Sequence, residues 1–212
     1  MKLTTTIQVS VDGVMQGNGG LHVEDRRLGF ERGGWARPLF GGESMTYVNE
    51  LYQRADAFLL GRRTFDIFAP YWGSMANSAS PIAAALNTRP KYVASNTLTD
   101  PKWADTTVLS GDLAAAVREL KAKPGGELQV HGSGALTRWL LGQQLVDEIN
   151  LLIIPVVVGQ GTRLFPENGL DMALDLVESR AVPNGITVQV YRVGGRPQYA
   201  TDVPSPTPTS GT

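Results

Sequence analysis

The sequence has no cysteine. Disulfides, thiolate metal sites and a cysteine nucleophile are therefore excluded. Histidine is nearly absent too: His22 and His131 lie far apart in the chain, so a histidine-rich metal cluster is unavailable. Neither sign of charge is in excess, because 19 basic and 20 acidic side chains leave a formal net charge of −1. That is no general electrostatic footprint for nucleic acid or an anionic membrane. No apolar run approaches the ~18–20 residues of a membrane-spanning helix. The start, MKLTTTIQVSVDG, lacks the ~7–15-residue apolar stretch of a secretory signal. The expectation is a soluble, cytoplasmic protein whose partners include neither nucleic acid nor membrane.

What is present is enough for one core. The 212 residues are 42% apolar and 18% charged, which suits a single domain, here residues 1–194, rather than a disordered chain. Residues 195–212, from GRPQY onward, are dominated by Pro, Ser and Thr, and read as a flexible tail. Apolar and polar residues alternate from Leu3 to Val11, a strand that Asp12-Gly13 ends. Residues 16–42 are rich in Gly, Arg and aromatics. A loop of that length in a compact domain is functional or mobile as a rule. Helical spacing of Met45, Val48, Leu51, Tyr52 and Ala55 predicts a helix over 43–55.

From there, strands and helices alternate. Strands are expected at Ala57–Leu60, Lys91–Ala94, Glu127–Val130 and Glu148–Val158. Helices are expected from Thr64, from Pro81 with Ser80 as cap, from Asp112 to Lys121, and from Ala135 to about Leu141. Leu174–Ala181 and Ile186–Val193 flank Pro183-Asn184-Gly185, a hairpin signal. The order predicts an α/β domain with a mostly parallel sheet and an antiparallel edge.

Three strand-end junctions carry the chemistry. Gly61-Arg62-Arg63-Thr64 joins a strand to a helix start, where free N–H groups, the helix dipole and a guanidinium fork suit a phosphate. Surface arginines beside a threonine cap would give the same string. Gly132-Ser133-Gly134, between a strand and a helix, is the setting a phosphate-binding turn requires, although such glycines are common in any tight junction. His131 beside it reads as a buried, hydrogen-bonded core residue. Ser95-Asn96-Thr97 ends a strand in small polar groups that suit a ligand rim or an ordinary turn. Together the three match the place where ligands bind in open α/β sheets, and they suggest a phosphorylated dinucleotide.

These segments, with SVDGV at 10–14, YVASNTL at 92–98, VHGSGAL at 130–136 and LVDEINLLIIPVVVGQGTRLF at 145–165, resemble in order the dihydrofolate reductase-like fold. The chain is most similar to stand-alone forms of the reductase domain found at the C-terminus of riboflavin-biosynthesis enzymes. The resemblance implies a three-layer fold and an NADPH-dependent reductase. It places Arg62 and Thr64, with Arg63 as helper, on the 2′-phosphate and pyrophosphate. Ser95, Asn96 and Thr97 fall beside the adenine side, and Gly132, Ser133, Gly134, Ala135 and Leu136 under the pyrophosphate. Val11 to Met15 would lie along the nicotinamide. A dihydrofolate reductase carries a carboxylate on the helix about sixteen residues before the GR motif, where this chain has Met45. The zinc deaminase often fused to the riboflavin-type enzymes needs cysteines this chain lacks.

The expected reaction is hydride transfer to a carbon–nitrogen or carbonyl double bond of a small pterin-like or pyrimidine-like substrate. Asp12 is the candidate proton relay or substrate anchor, or else a turn residue. Trp35, Tyr71 and Trp72 are candidates for a substrate-stacking wall, or else core residues. One alternative is reduction of a phosphorylated aminopyrimidine ribosyl intermediate, with Arg26, Arg27, Arg32 and Arg37 available for a second anion. Another is a non-catalytic NADPH-binding sensor. The run Leu151–Val158 scarcely alternates and needs cover on both faces, and with the resemblance it predicts a homodimer.

Overall fold

The computed structural model of the chain describes residues 1–200. Eight strands form one sheet. They are β1 (Lys2–Ser10), β2 (Ala55–Gly61), β3 (Lys91–Ala94), β4 (Thr106–Leu109), β5 (Glu127–His131), β6 (Glu148–Ile154), β7 (Leu174–Ala181) and β8 (Thr187–Val193). The helices are α1 (Val23–Arg27), α2 (Glu43–Gln53), α3 (Arg62–Gly73), α4 (Pro81–Thr88), α5 (Leu113–Ala122) and α6 (Gly134–Gly142). The sheet order is β4-β3-β2-β5-β1-β6-β8-β7. From β4 to β6 in that order the strands are parallel, joined by helical crossovers except for the 95–105 link from β3 to β4, and β8 and β7 close the far edge antiparallel. The hairpin forms because Asn184 and Gly185 accept left-handed backbone, at φ 67° and 76°.

Each face of the sheet builds its own core. On one face Tyr47, Leu51 and Tyr52 of α2, Phe65 of α3 and Leu86 of α4 bury Phe58, Leu60, Leu152 and Val188. On the other, Val117 and Leu120 of α5 and Leu136 and Leu140 of α6 bury Leu3, Ile7, Leu59, Val130 and Ile149. This is the α/β arrangement expected from the alternating pattern, in the three layers the resemblance implies, with the antiparallel edge where the hairpin signal puts it.

The differences have local causes. β4 went unpredicted because it is four residues long and only partly buried, too short to show a period. β6 stops at Ile154, not at Val158, because Pro155 has no N–H for the ladder. Helix α3 begins at Arg62, so Gly61 takes the cap position expected of Thr64. The 16–42 segment is not bare loop. It holds α1 and a 3₁₀ turn at Arg37–Leu39, and Phe30 is buried with Val14 and Val158 in a third small cluster. Gly17, at φ 66°, packs directly on Phe30, where a Cβ would collide. At the chain's other end, Ala173 N–H donates to Gly195 O at 2.8 Å. Arg196 and Tyr199 both donate to Asp171 at 3.1 Å. The rest of the tail, 201–212, lies outside the described residues.

Two caps are as predicted: Ser80 Oγ accepts from Ala83 N–H, and Asp112 Oδ1 from Ala115 N–H. Ser80→Ala and Asp112→Ala should each lower stability by about 0.5–2 kcal/mol. Thermal melts check this, and unchanged midpoints in both variants would contradict the capping.

Candidate active site

β3, β2 and β5 are adjacent and parallel, so the three junctions emerge side by side. Gly61 N–H donates to Ser133 Oγ at 2.8 Å, and that hydroxyl lies 2.5 Å from Thr64 Oγ1. A Cβ on Gly61 would sit 2.8 Å from Ser133 Oγ, closer than real Cβ contacts allow, so only glycine lets the turns meet. Gly132 and Ser133 are both left-handed, at φ 64° and 55°. A non-glycine residue there is strained, and the two bonds of the Ser133 hydroxyl hold it.

The helices that start at this meeting point, α3 and α6, have no side-chain cap on their N-termini. Their first-turn N–H groups are thus left for another acceptor. On the β3 side, Arg62 Nε reaches both Asp66 oxygens at 2.9 and 3.0 Å, and its Nη1 donates to Thr97 Oγ1 at 3.3 Å. Ser95 Oγ accepts from the N–H groups of Thr97 and Leu98, and Asn96 Oδ1 from Gly111 N–H. Ala135 is exposed and Leu136 buried on α6. Met15 packs against Gly134, where a Cβ would collide, which joins the turn after β1 to this rim. Val11 is exposed, with its N–H on Val156 O.

Arg63 points the other way. Its Nη2 lies 2.5 Å from Asp25 Oδ1. Asp25 is buried and also accepts from Gln16 Nε2 at 2.8 Å and His22 N–H at 3.1 Å. Burial raises its pKa, yet these donors and the Arg63 charge leave it below the ordinary value. Beside Arg63 a cleft of about 270 Å³ is lined by Gln16, Leu28, Phe30, Gln160, Gly161 and Thr162. Asp25 and Gln16 carried no signal of their own, because no period marks the 16–42 segment, and Gln160 lies in the irregular stretch after β6.

Asp12 is committed elsewhere. Its carboxylate accepts from Ser10 Oγ at 2.6 Å, Val158 N–H at 2.9 Å and Gly159 N–H at 2.8 Å, with Arg163 at 3.6 Å. The Ser10 and Val158 hydrogen bonds hold its pKa down at about 2. This geometry favours the turn-anchor reading over the proton relay. Trp35 donates to Gln16 O at 2.8 Å and packs beside Phe30. Tyr71 and Trp72 lie in the last turn of α3 (Arg62–Gly73), and Trp72, like Trp35, packs against the core cluster on the α2 face of the sheet. There they meet edge to face at 4.8 Å, and Trp72 O accepts from Asn87 of α4. His131 is the core residue expected. It stacks on Tyr52 at 3.8 Å, bonds Gln129 Oε1 at 2.8 Å, and burial lowers its pKa to about 3. Among the described residues no His, Cys, Asp and Glu grouping would hold a metal, and no helix is long and apolar enough to cross a membrane.

Residues 1–188 match the RibD C-terminal domain family. The chain belongs to that family. The uncharacterized protein YyaP of Bacillus subtilis (strain 168) is 24% identical over 199 residues, 92% of this chain and 96% of its own. A Shewanella sp. PV-4 structure, provisionally named as a riboflavin biosynthesis protein, superposes with a TM-score of 0.69 at 23% identity, covering 92% of this chain and 99% of its own. Dihydrofolate reductase from Enterococcus faecalis, solved with NADP(H), superposes with a TM-score of 0.51 at 14% identity, covering 91% and 96%. At these identities the structural likeness is one of fold. It bears out the dihydrofolate reductase-like architecture, and with the family it supports an oxidoreductase.

Because the Asp12 pKa is lower folded than unfolded, its contribution to stability is complete above pH ~4 and is lost as pH falls through about 2. Asp12→Asn should remove that part of the acid dependence and destabilise the neutral protein. Urea unfolding at stepped pH checks both, and an unaltered slope between pH 4 and 2 would contradict the anchor.

Proposed function

We propose that the protein is an NADPH-dependent reductase acting on a small heterocyclic, carbonyl or imine substrate of pterin-like or pyrimidine-like shape. One observation carries this reading: two uncapped helix N-termini, stitched together through Gly61, Ser133 and Thr64, share a rim with Arg62. Free N–H groups and a guanidinium fork at one place are the donor set that a pyrophosphate and a ribose phosphate require. Family membership and the fold shared with a reductase solved with NADP(H) support the same conclusion.

Within this reading the cofactor, when bound, supplies the hydride, and the chain supplies position and exclusion of water. Arg62 takes the adenosine 2′-phosphate, and the first turns of α3 and α6 with Thr64 and Ser133 take the pyrophosphate. Ser95, Asn96 and Thr97 border the adenosine, and Val11 to Met15 the nicotinamide. Trp35, with Tyr71 and Trp72 of α3, is assigned to the substrate side, and Trp35 and Trp72 pack against one cluster. No carboxylate is assigned to the proton. Asp12 is bound to backbone, and Met45 stands where a dihydrofolate reductase has its acid, which turns the reading away from folate. A phosphorylated aminopyrimidine ribosyl substrate is the second reading, favoured by the half-exposed Arg63 on the 270 Å³ cleft.

A homodimer is part of the proposal. On β7, Leu176 and Val177 are 58% and 50% exposed, and Tyr191 and Val193 on the neighbouring β8 are only partly covered. A second copy on this apolar sheet edge would cover them. Sizing at micromolar concentration should give twice the 22.8 kDa chain mass, and a monomer would contradict it.

Arg62→Ala should weaken NADPH by about ten- to a hundredfold, the worth of one charge-assisted contact, and leave NADH nearly unchanged. Calorimetric titration of both cofactors checks this. Equal losses would refute the role of Arg62.

A further inference from the structure

Asp25 is hard to explain as a surface residue. It lies in a glycine- and arginine-rich insertion, yet its side chain is 2% exposed while its partner Arg63 is 55% exposed. Burying a carboxylate is costly unless it is paired and hydrogen-bonded, and here three donors serve its two oxygens: Gln16 Nε2, His22 N–H and Arg63 Nη2. The first and last of these line the 270 Å³ cleft. Gln16 continues the chain of contacts, since its Oε1 accepts from Thr162 N–H at 2.9 Å and Thr162 Oγ1 at 3.1 Å. Asp25 thus stands behind the cleft wall and ties three segments to one point: the start of the insertion, the loop after β6 and the first turn of α3.

We infer that Asp25 is a positioning residue, whose buried carboxylate aims the Arg63 guanidinium into this cleft so that its remaining N–H groups take a phosphate oxygen. The inference rests on the reductase reading for the identity of that phosphate. A guanidinium has five N–H donors in a rigid fork. One Nη bound to Asp25 leaves others on a half-exposed group that is one residue from Arg62 and one from Thr64. Without Asp25 the long side chain would be loose in solvent, and ligand binding would have to order it. The opposing effect, repulsion between Asp25 and a bound phosphate, is offset by the Arg63 charge that is paired with Asp25 and nearer the cleft. The phosphate is either the cofactor's pyrophosphate or one borne by the substrate.

The test is a double-mutant cycle of Asp25→Asn and Arg63→Gln, with Arg62→Ala measured alongside. Dissociation constants are taken for NADPH, for NADH and for ribose 5-phosphate on the NADPH-loaded protein. Asp25→Asn should cost roughly two- to tenfold in affinity, the equivalent of ordering one long side chain, and nothing further in the Arg63→Gln background. A loss for NADPH and NADH alike supports the inference with the cofactor pyrophosphate as ligand. A loss confined to ribose 5-phosphate supports it with a substrate phosphate. A merely structural role would carry the same loss into the Arg63→Gln background, and that result overturns the inference, as does unchanged or tighter binding in Asp25→Asn. If Arg62→Ala loses NADPH selectively while Asp25→Asn is silent, only the inference fails. If wild-type protein binds neither cofactor, the reductase reading fails and the inference with it.

Discussion

The hydroxyl of Ser133 holds the rim together. By accepting from Gly61 N–H and bonding Thr64 Oγ1, it draws the end of β2 and the end of β5 into contact and sets the starts of α3 and α6 side by side. The sheet makes the contact possible, because β2 and β5 are parallel neighbours and both strands end at the same edge. The glycines make it sterically possible, since Gly61 has no Cβ to strike Ser133 and Gly132 turns left-handed. Strain at Ser133 is offset by the two bonds of its own side chain. Two helix ends are thereby left open to a ligand, where Ser80 and Asp112 close α4 and α5.

Charge around this rim is used twice. Arg62 is tied to Asp66 and Thr97 on the β3 side, and Arg63 to Asp25 on the insertion side, so consecutive arginines diverge and frame the opening of α3. Acids serve as fixtures: Asp12 clamps the turn after β1 to Val158 and Gly159, and Asp25 clamps the insertion to α3. Each stays ionised because it is hydrogen-bonded, which is why neither is free to carry a proton.

Much of the fold was legible because its elements obey local rules. Lys91–Ala94 appears with the bounds predicted, the helices begin after Ser80 and Asp112, and the hairpin turns at Asn184-Gly185. The meeting of the strand-end turns was legible for a similar reason, since glycine, arginine and small polar residues at strand ends report a local backbone requirement. What was not legible depended on direction and distance. Asp12 looked available until Val158 and Gly159, over 140 residues on, came to it. Asp25 is invisible in sequence because its importance comes from Gln16 and Arg63 meeting it in space.

If the open ends of α3 and α6 receive a dinucleotide's phosphates, a crystal structure grown with NADPH will show pyrophosphate oxygens within hydrogen-bond reach of first-turn N–H groups of both helices, with the 2′-phosphate on Arg62. Cofactor bound elsewhere, with this rim left to solvent, would contradict that placement.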